Sequence, residues 1–335
     1  MLLTFLPAGA DFSACVADYG SITETLNAIL QDAGRVTIRL WRSIFEEQDG
    51  SLEIPADRGI TEIRFEPDEY IPRVALPDLY RICANGIPLT IGEGLVFENA
   101  SIYGGACVSE GETKLDRSSV TIEGQVAFAF GGGLAENGAR STVTEPSLTV
   151  AENGIVFFEA FGGGHAYGSG SRVFSDKTNV LIDGTADYAL GGGFAEEGGQ
   201  SSCENAFVHV SENAKVAVAL FTGGSAAGGE SRSWVESGKA VLAGRAVSAF
   251  SGDFAFGGGV TVLNADSRLE ILGSGSSDSV YMGSFASDPG SDAFVNTSEL
   301  MICGEVRDLF KRSQSSDGGE AKTLFTALFP CSVSE

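Results

Sequence analysis

Apolar and polar residues alternate along most of the chain in short runs that end at glycines. Val120 and Ile122, for example, alternate with Thr121 and Glu123. A period of two, rich in β-branched and aromatic residues and bounded by glycine, is typical of β-strands. Helical periodicity is absent from these runs, and their frequent glycines disfavour helices. The pattern therefore predicts an all-β protein over most of its length.

These runs repeat. The segments VTIEGQVAFAFGGG, VLIDGTADYALGGG, AVLAGRAVSAFSGD and LMICGEVRDLFKRS begin 60 residues apart, at Val120, Val180, Ala240 and Leu300. A second series, including LTVAENGIVFFEAFGGG from Leu148 and VHVSENAKVAVALFTGG from Val208, lies between them, so that a unit recurs about every 30 residues. One large apolar residue occupies the same place in each unit: Tyr103, Phe130, Phe161, Leu190, Phe221, Phe250, Met282 and Phe310.

Short strands at a fixed period, with like residues in like places, indicate a parallel β-solenoid of stacked coils. The eight large apolar residues are then predicted to form one internal ladder. A β-propeller is the rival fold, but each blade needs about 40–50 residues and four antiparallel strands. We therefore predict a single solenoid with coils of about 30 residues.

The two ends of a solenoid need caps. Ser21 and Glu24 match a capping box, and Leu26, Ile29 and Leu30 make an apolar stripe, which together predict a short capping helix before the strand 36–41. We predict an N-terminal cap over 1–50 and coils over 51–310. Residues 311–335 are predicted to contain a polar loop, over 311–320, followed by a cap or a continuation of the coils.

Composition restricts the partners of this fold. The chain has 21 Lys and Arg against 45 Asp and Glu, a formal net charge of -24, which argues against nucleic acid and anionic membrane surfaces. The sequence has no apolar run of about 18 residues, so no membrane insertion is predicted. It also lacks the phosphate-binding, zinc-protease and nucleophile-elbow motifs, and its six cysteines lack metal-type spacing. We predict neither a cofactor nor a metal.

The repeat gives each unusual residue an internal comparison. His165 shares its place with Leu134, Phe194 and Ser225, so a structural or surface role is predicted for it. His209 replaces a threonine on the polar side of its strand and is expected to be solvated. Cys203, equivalent to Val143, Phe174 and Trp234, is expected to be a small buried residue, whereas Cys303 is expected to face outward as a thiol.

The start of the chain, the coils, the segments LEIPADRGITEIRF and GIPLTIGEG, and the recurrent FGGG turns resemble the right-handed parallel β-helix superfamily with a pectin-lyase-like fold. More narrowly, the segments resemble adhesin-like β-helix proteins of gut Gram-positive bacteria. The resemblance implies a right-handed coil and an extracellular or cell-surface scaffold that binds a glycan or a surface protein. A structural stalk segment of a longer protein is an alternative.

A second alternative is a polysaccharide lyase or a glycoside hydrolase, because such enzymes use this fold. Inverting hydrolases hold two carboxyl groups about 6.5–9.5 Å apart. Glu159 and Asp187 interrupt otherwise apolar or small segments one coil apart, which makes them the candidate catalytic pair. Solvation on the outer face of a sheet is the simpler interpretation of both residues. No histidine motif or arginine joins them to complete a site.

Overall fold

A computed structural model describes residues 11–16, 19–28, 34–41, 50–71, 73–76 and 79–331. The chain forms an all-β parallel solenoid of about 10 turns with coils of about 29 residues, which confirms the predicted fold class. Every strand pairing in the described residues is parallel, and most pairings join strands one coil apart. The arrangement is consistent with a right-handed β-helix.

Three sheets run along the solenoid, and we call them A, B and C. Sheet A has 12 strands: Phe12–Val16, Arg35–Leu40, Glu62–Pro67, Leu89–Ile91, Glu112–Ile122, Arg140–Val150, Arg172–Ile182, Gln200–Val210, Arg232–Leu242, Val260–Ile271, Asp292–Ile302 and Glu320–Pro330. Sheet B has 11 strands: Gly50–Glu53, Val74–Ala75, Leu79–Cys83, Leu95–Tyr103, Gln125–Phe130, Ile155–Phe161, Thr185–Leu190, Lys215–Phe221, Arg245–Phe250, Ser276–Tyr281 and Glu305–Phe310. Sheet C has 8 short strands: Cys107–Val108, Leu134–Glu136, His165–Tyr167, Phe194–Glu196, Ser225–Ala227, Phe254–Phe256, Phe285–Ser287 and Gln314–Ser316.

The last residues of the sheet B strands stack in one row. Pairing places Tyr103, Phe130, Phe161, Leu190, Phe221, Phe250, Tyr281 and Phe310 opposite one another in turn. Neighbouring rings lie nearly parallel, with centroids 4.9 Å apart for Phe130 and Phe161 and 4.7 Å apart for Phe221 and Phe250. The prediction of Met282 for this row is wrong by one residue, because Tyr281 is the residue that pairs with both Phe250 and Phe310.

The row is buried from Tyr103 to Phe250 and partly exposed at Tyr281 and Phe310, but it does not lie inside the coil. Ala129 belongs to the main core with Val126, whereas the adjacent Phe130 belongs to a second cluster with Leu134 of sheet C. Neighbouring residues of a strand point to opposite faces, so Phe130 projects from the outer face of sheet B. The expectation of an internal ladder is therefore wrong, because the aromatic row fills the angle between the outer faces of sheets B and C.

The glycine turns between sheets B and C allow this angle to close. A Cβ placed on Gly131 would lie 2.5 Å from the carbonyl oxygen of Gly162 in the next coil. Real Cβ atoms do not come so close to a backbone oxygen, so only glycine lets successive turns stack here.

The N-terminal helix is present but differs in detail from the prediction. It spans Tyr19–Ala28 and buries Ile22, Thr25 and Leu26 on one face. Ser21 lies inside the helix rather than before it, so it is not the capping residue of a helix with these bounds. Ile29 and Leu30, the rest of the predicted apolar stripe, lie outside the described residues.

The C-terminal segment adds strands to the stack. Residues 311–320, expected as a polar loop, contain the strand Gln314–Ser316 and the first residue of Glu320–Pro330. These strands pair with Phe285–Ser287 of sheet C and with Asp292–Ile302 of sheet A. Polar residues can form such strands because the outer faces of the coil are solvated.

Two disulfides join neighbouring coils. Cys83 pairs with Cys107 and Cys303 pairs with Cys331, with sequence separations of 24 and 28 residues. The expectation of a free outward thiol at Cys303 is therefore wrong. Cys83 and Cys107 begin the buried rows of sheets B and C respectively, so their disulfide closes one end of the aromatic cluster.

Shortening one member of the aromatic row is expected to destabilise the fold. Phe161 is fully buried and its ring stacks on Phe130 and Phe194. We expect Phe161→Ala to lower the free energy of unfolding by about 3–5 kcal/mol, because it leaves a cavity between rigid coils. Phe161→Leu is the matched control and should cost much less, since Leu190 fills the same place one coil on. Urea unfolding measures both, and equal losses in the two variants would contradict the role of ring stacking.

A buried carboxyl group should make stability depend on pH. Asp253 is 1% exposed in a turn where the preceding coil has Gly224, and burial raises its pKa well above the usual value. The contribution of Asp253 to stability is thus fully present below the unfolded pKa of Asp and is lost as pH rises through the folded pKa. Asp253→Asn removes this charge, so it should raise the urea midpoint at pH 7 and lose that advantage near pH 4. A variant that is less stable than the wild type at pH 7 would contradict this.

Candidate binding groove

A groove of about 470 Å³ opens where the aromatic row meets the first coils. Its lining comes from strands of sheets B and C: Ser51, Tyr80, Arg81, Ser101, Tyr103, Leu134, Glu136, His165, Tyr167 and Glu196. Tyr80 and Tyr167 are 46% and 44% exposed, so both rings are open to solvent at the groove. The groove therefore combines a rigid aromatic floor with polar groups and two exposed rings.

His165 lies at the base of the groove, where its equivalents Leu134 and Phe194 are apolar. Its ring stacks between Phe130 and Phe194, with centroids 5.4 and 4.9 Å away. The sequence prediction of a packing role thus describes part of what the residue does. The ring also places two nitrogen atoms among polar groups, which none of its equivalents can do.

Both nitrogen atoms of His165 face groove residues. Nδ1 lies 3.1 Å from the hydroxyl oxygen of Tyr103, and Nε2 lies 3.3 Å from Oε2 of Glu196. Burial raises the pKa of the Tyr103 hydroxyl, so this group stays protonated and can donate to Nδ1. In the neutral tautomer that accepts this hydrogen bond at Nδ1, Nε2 carries the proton, and it lies 3.3 Å from the Glu196 carboxylate without the alignment of a hydrogen bond. A buried polar atom without a hydrogen bond needs an explanation, and one explanation is a partner supplied from outside the protein.

A second polar pair forms one wall. Nη1 of Arg81, in sheet B, lies 2.9 Å from Oε2 of Glu136, in sheet C. The contact spans the groove and joins two residues that are 55 positions apart in the sequence. It fixes both side chains, each of which is about one third exposed. The pair offers donors and a carboxylate in fixed places, which suits a ligand with several hydroxyl groups.

Glu159 has an unusual environment for a carboxyl group on a sheet. Burial raises its pKa to about 7, and the negative charge of Glu196 adds to the shift. Its partner in the next coil is Tyr188, because a bulge in sheet B offsets the register at this point. At neutral pH this carboxyl group is therefore divided between its acid and base forms.

Strand register places Glu159 opposite Tyr188 rather than opposite Asp187, so the candidate catalytic pair is not a register pair. Asp187 falls in the bulge and has no register partner in either neighbouring strand. Burial raises the pKa of Asp187 and Lys215 opposes that shift, whereas the charge acting on Glu159 is Glu196. Glu196 and Arg81 were missed, and Tyr103 was predicted only as a member of the apolar row, because each lies in a different strand and gains its polar contacts only between coils.

The remaining sequence candidates lie elsewhere. Cys203 is buried, as expected, but its predicted equivalence to Phe174 and Trp234 is wrong by one residue, because it pairs with Ser175 and Val235. His209 lies in sheet A opposite Leu181 and Val241. Within the described part of the chain, no group of three or more His, Cys, Asp or Glu side chains could hold a metal ion. In the same residues, no helix has the length and apolar character needed to cross a membrane.

Comparisons with known proteins give no match to this chain, whether with protein families, with curated proteins or with solved structures.

The electrostatic coupling between Glu159 and the groove residue Glu196 can be tested directly. We expect Glu196→Gln to lower the pKa of Glu159 from about 7, because it removes a negative charge that disfavours ionisation. The pKa should stay above that of an ordinary Glu, since burial is the larger cause. Carbon-detected NMR titration of labelled Glu carboxyl groups measures this. Glu204→Gln, in sheet A, is the control, and an unchanged Glu159 in the Glu196 variant would contradict the coupling.

Proposed function

We propose that this chain is an extracellular or cell-surface scaffold that binds a glycan in the groove between sheets B and C. The observation that carries the proposal is the pairing of exposed Tyr80 and Tyr167 with the fixed polar groups of Arg81, Glu136 and His165 in one groove. Flat rings pack against the apolar faces of sugars, while charged and polar groups pair with hydroxyls.

Several features support a scaffold rather than a mobile binding protein. Stacked coils hold the groove residues on strands, so little conformational freedom is lost when a ligand binds. Nε2 of His165 makes no hydrogen bond within the groove, so it can form one with a ligand hydroxyl. The two disulfides favour an oxidising compartment, which agrees with an extracellular site of action.

Binding should depend on the two exposed rings. We expect Tyr167→Ala and Tyr80→Ala each to weaken glycan binding by about 3- to 10-fold, the range for loss of one aromatic contact. A glycan array identifies the ligand, and calorimetry measures the affinities. Tyr70→Ala is the matched control, because Tyr70 is 84% exposed and does not line the groove. Absence of binding to any neutral or acidic glycan, or equal effects in all three variants, would overturn the proposal.

A second candidate function is glycoside hydrolysis, favoured by the pKa of about 7 at Glu159. A carboxyl group that retains its proton near neutral pH can act as a general acid, and Glu196 could act as its ionised partner. We expect any hydrolytic activity to fall by about 100-fold or more in Glu159→Gln. Asp187→Asn should leave most of it, because Asp187 is not coupled to Glu196. Reducing-end release from polysaccharides measures the activity, and its survival in Glu159→Gln would exclude this mechanism.

A further inference from the structure

The outer face of sheet A carries three parallel rows of unlike chemistry over three consecutive coils. The first row is Arg172, Gln200 and Arg232, extended by Arg140 in the preceding coil. The second row lies two residues further along each strand and mixes apolar and polar side chains: Phe174, Ser202 and Trp234. The third row lies another two residues along and is acidic: Asp176, Glu204 and Glu236. Because side chains alternate across a strand, all three rows project from the same face.

The charged rows are unpaired. None of these arginines and carboxylates makes an ion pair with any residue in the described ranges. Arg117 behaves differently, since it pairs with Glu145 of the next coil at 3.0 Å on the same sheet. Within one strand, the arginine and the carboxylate are four residues apart, a span of about 13 Å, so they cannot reach each other.

The middle row is more apolar than a solvated face requires. Trp234 is 50% exposed, and Phe174 lies two coils away in the same row. Two shallow hollows, each of about 480 Å³, flank this row, one on the arginine side and one on the carboxylate side. A tryptophan beside arginines is the composition typical of the centre of a protein interface.

We propose that this face binds the same face of a second copy of the chain, forming a parallel two-fold dimer. A two-fold axis that runs over the mixed row, parallel to the solenoid axis, exchanges left and right across the face but keeps each coil at the same position along the solenoid. Each arginine row then faces the acidic row of the partner, and each mixed row faces itself. An axis along the strands would instead oppose arginine to arginine, so the charges select the parallel arrangement.

The acidic row also explains why a second copy fits better than an acidic glycan. A polyanion on the arginine row would lie beside Asp176, Glu204 and Glu236, which repel it. The same side chains favour a partner that brings its own arginines opposite them. This surface lies on sheet A, so the proposal does not depend on the function assigned to the groove between sheets B and C.

Charge reversal gives the decisive experiment. Wild type should dimerise in sedimentation at about 100 µM or below and dissociate at high salt. An acidic-face variant, Arg172→Glu with Arg232→Glu, and a basic-face variant, Asp176→Arg with Glu236→Arg, should each be monomeric. Mixed in equal amounts, they should form a dimer again, because each face then meets its complement. Circular dichroism checks that both variants remain folded.

Two further variants separate this interface from general surface effects. Trp234→Ala should weaken dimerisation by about tenfold or more, whereas Tyr70→Ala and Lys215→Glu, away from this face, should not change it. A monomeric wild type at about 100 µM would overturn the proposal. So would charge-reversed variants that still self-associate, a mixture that stays monomeric, or a monomer that binds an acidic polysaccharide through Arg172 and Arg232.

Discussion

In-register parallel pairing between coils is the constraint on which the rest of this structure depends. Strands such as Arg172–Ile182 and Gln200–Val210 pair residue by residue, so the neighbours of a side chain are set by its place in the coil. Coils stack about 4.8 Å apart, which brings side chains at the same place of successive coils into direct contact. The aromatic row and the glycine turns both follow from this spacing, because flat rings stack at that distance and a Cβ in the turn does not fit.

The same constraint decides where polar chemistry can occur. The glycine turns fold the outer faces of sheets B and C toward each other, and most of the angle between them is filled by rings. Polar groups lie in this angle where a residue differs from its equivalents in the other coils, as Tyr103 does in sheet B and His165 does in sheet C. The contact between these two residues joins the sheets across 62 residues of sequence. The groove is thus a local exception within a regular stack, and its geometry is rigid because the surrounding coils are regular.

Repetition made the fold predictable from sequence, and it also marks the limit of that prediction. The period, the all-β class and most of the aromatic row could be predicted, because successive coils carry similar residues at equivalent positions. The row at Met282 was misplaced because that coil has little sequence likeness to the others, and only the pairing of Tyr281 with Phe310 corrects it. Some contacts join non-equivalent positions of different coils, as both disulfides and the Arg81–Glu136 pair do. Such contacts do not repeat along the chain, so the periodicity of the sequence does not predict them. The bulge that pairs Glu159 with Tyr188 is likewise invisible to a comparison by fixed spacing.

The proposed self-association and the proposed glycan binding use different sides of the same coil. Sheet A carries the complementary rows, whereas the groove lies between sheets B and C. A parallel dimer through sheet A therefore leaves both grooves open and places them on opposite sides of the assembly. The coils of both copies then follow the same direction along the solenoid axis. Two rigid sites that face apart cannot close on one short ligand. They would gain avidity only by joining two glycan chains or two regions of one surface, because the stacked coils allow no bending that would bring them together.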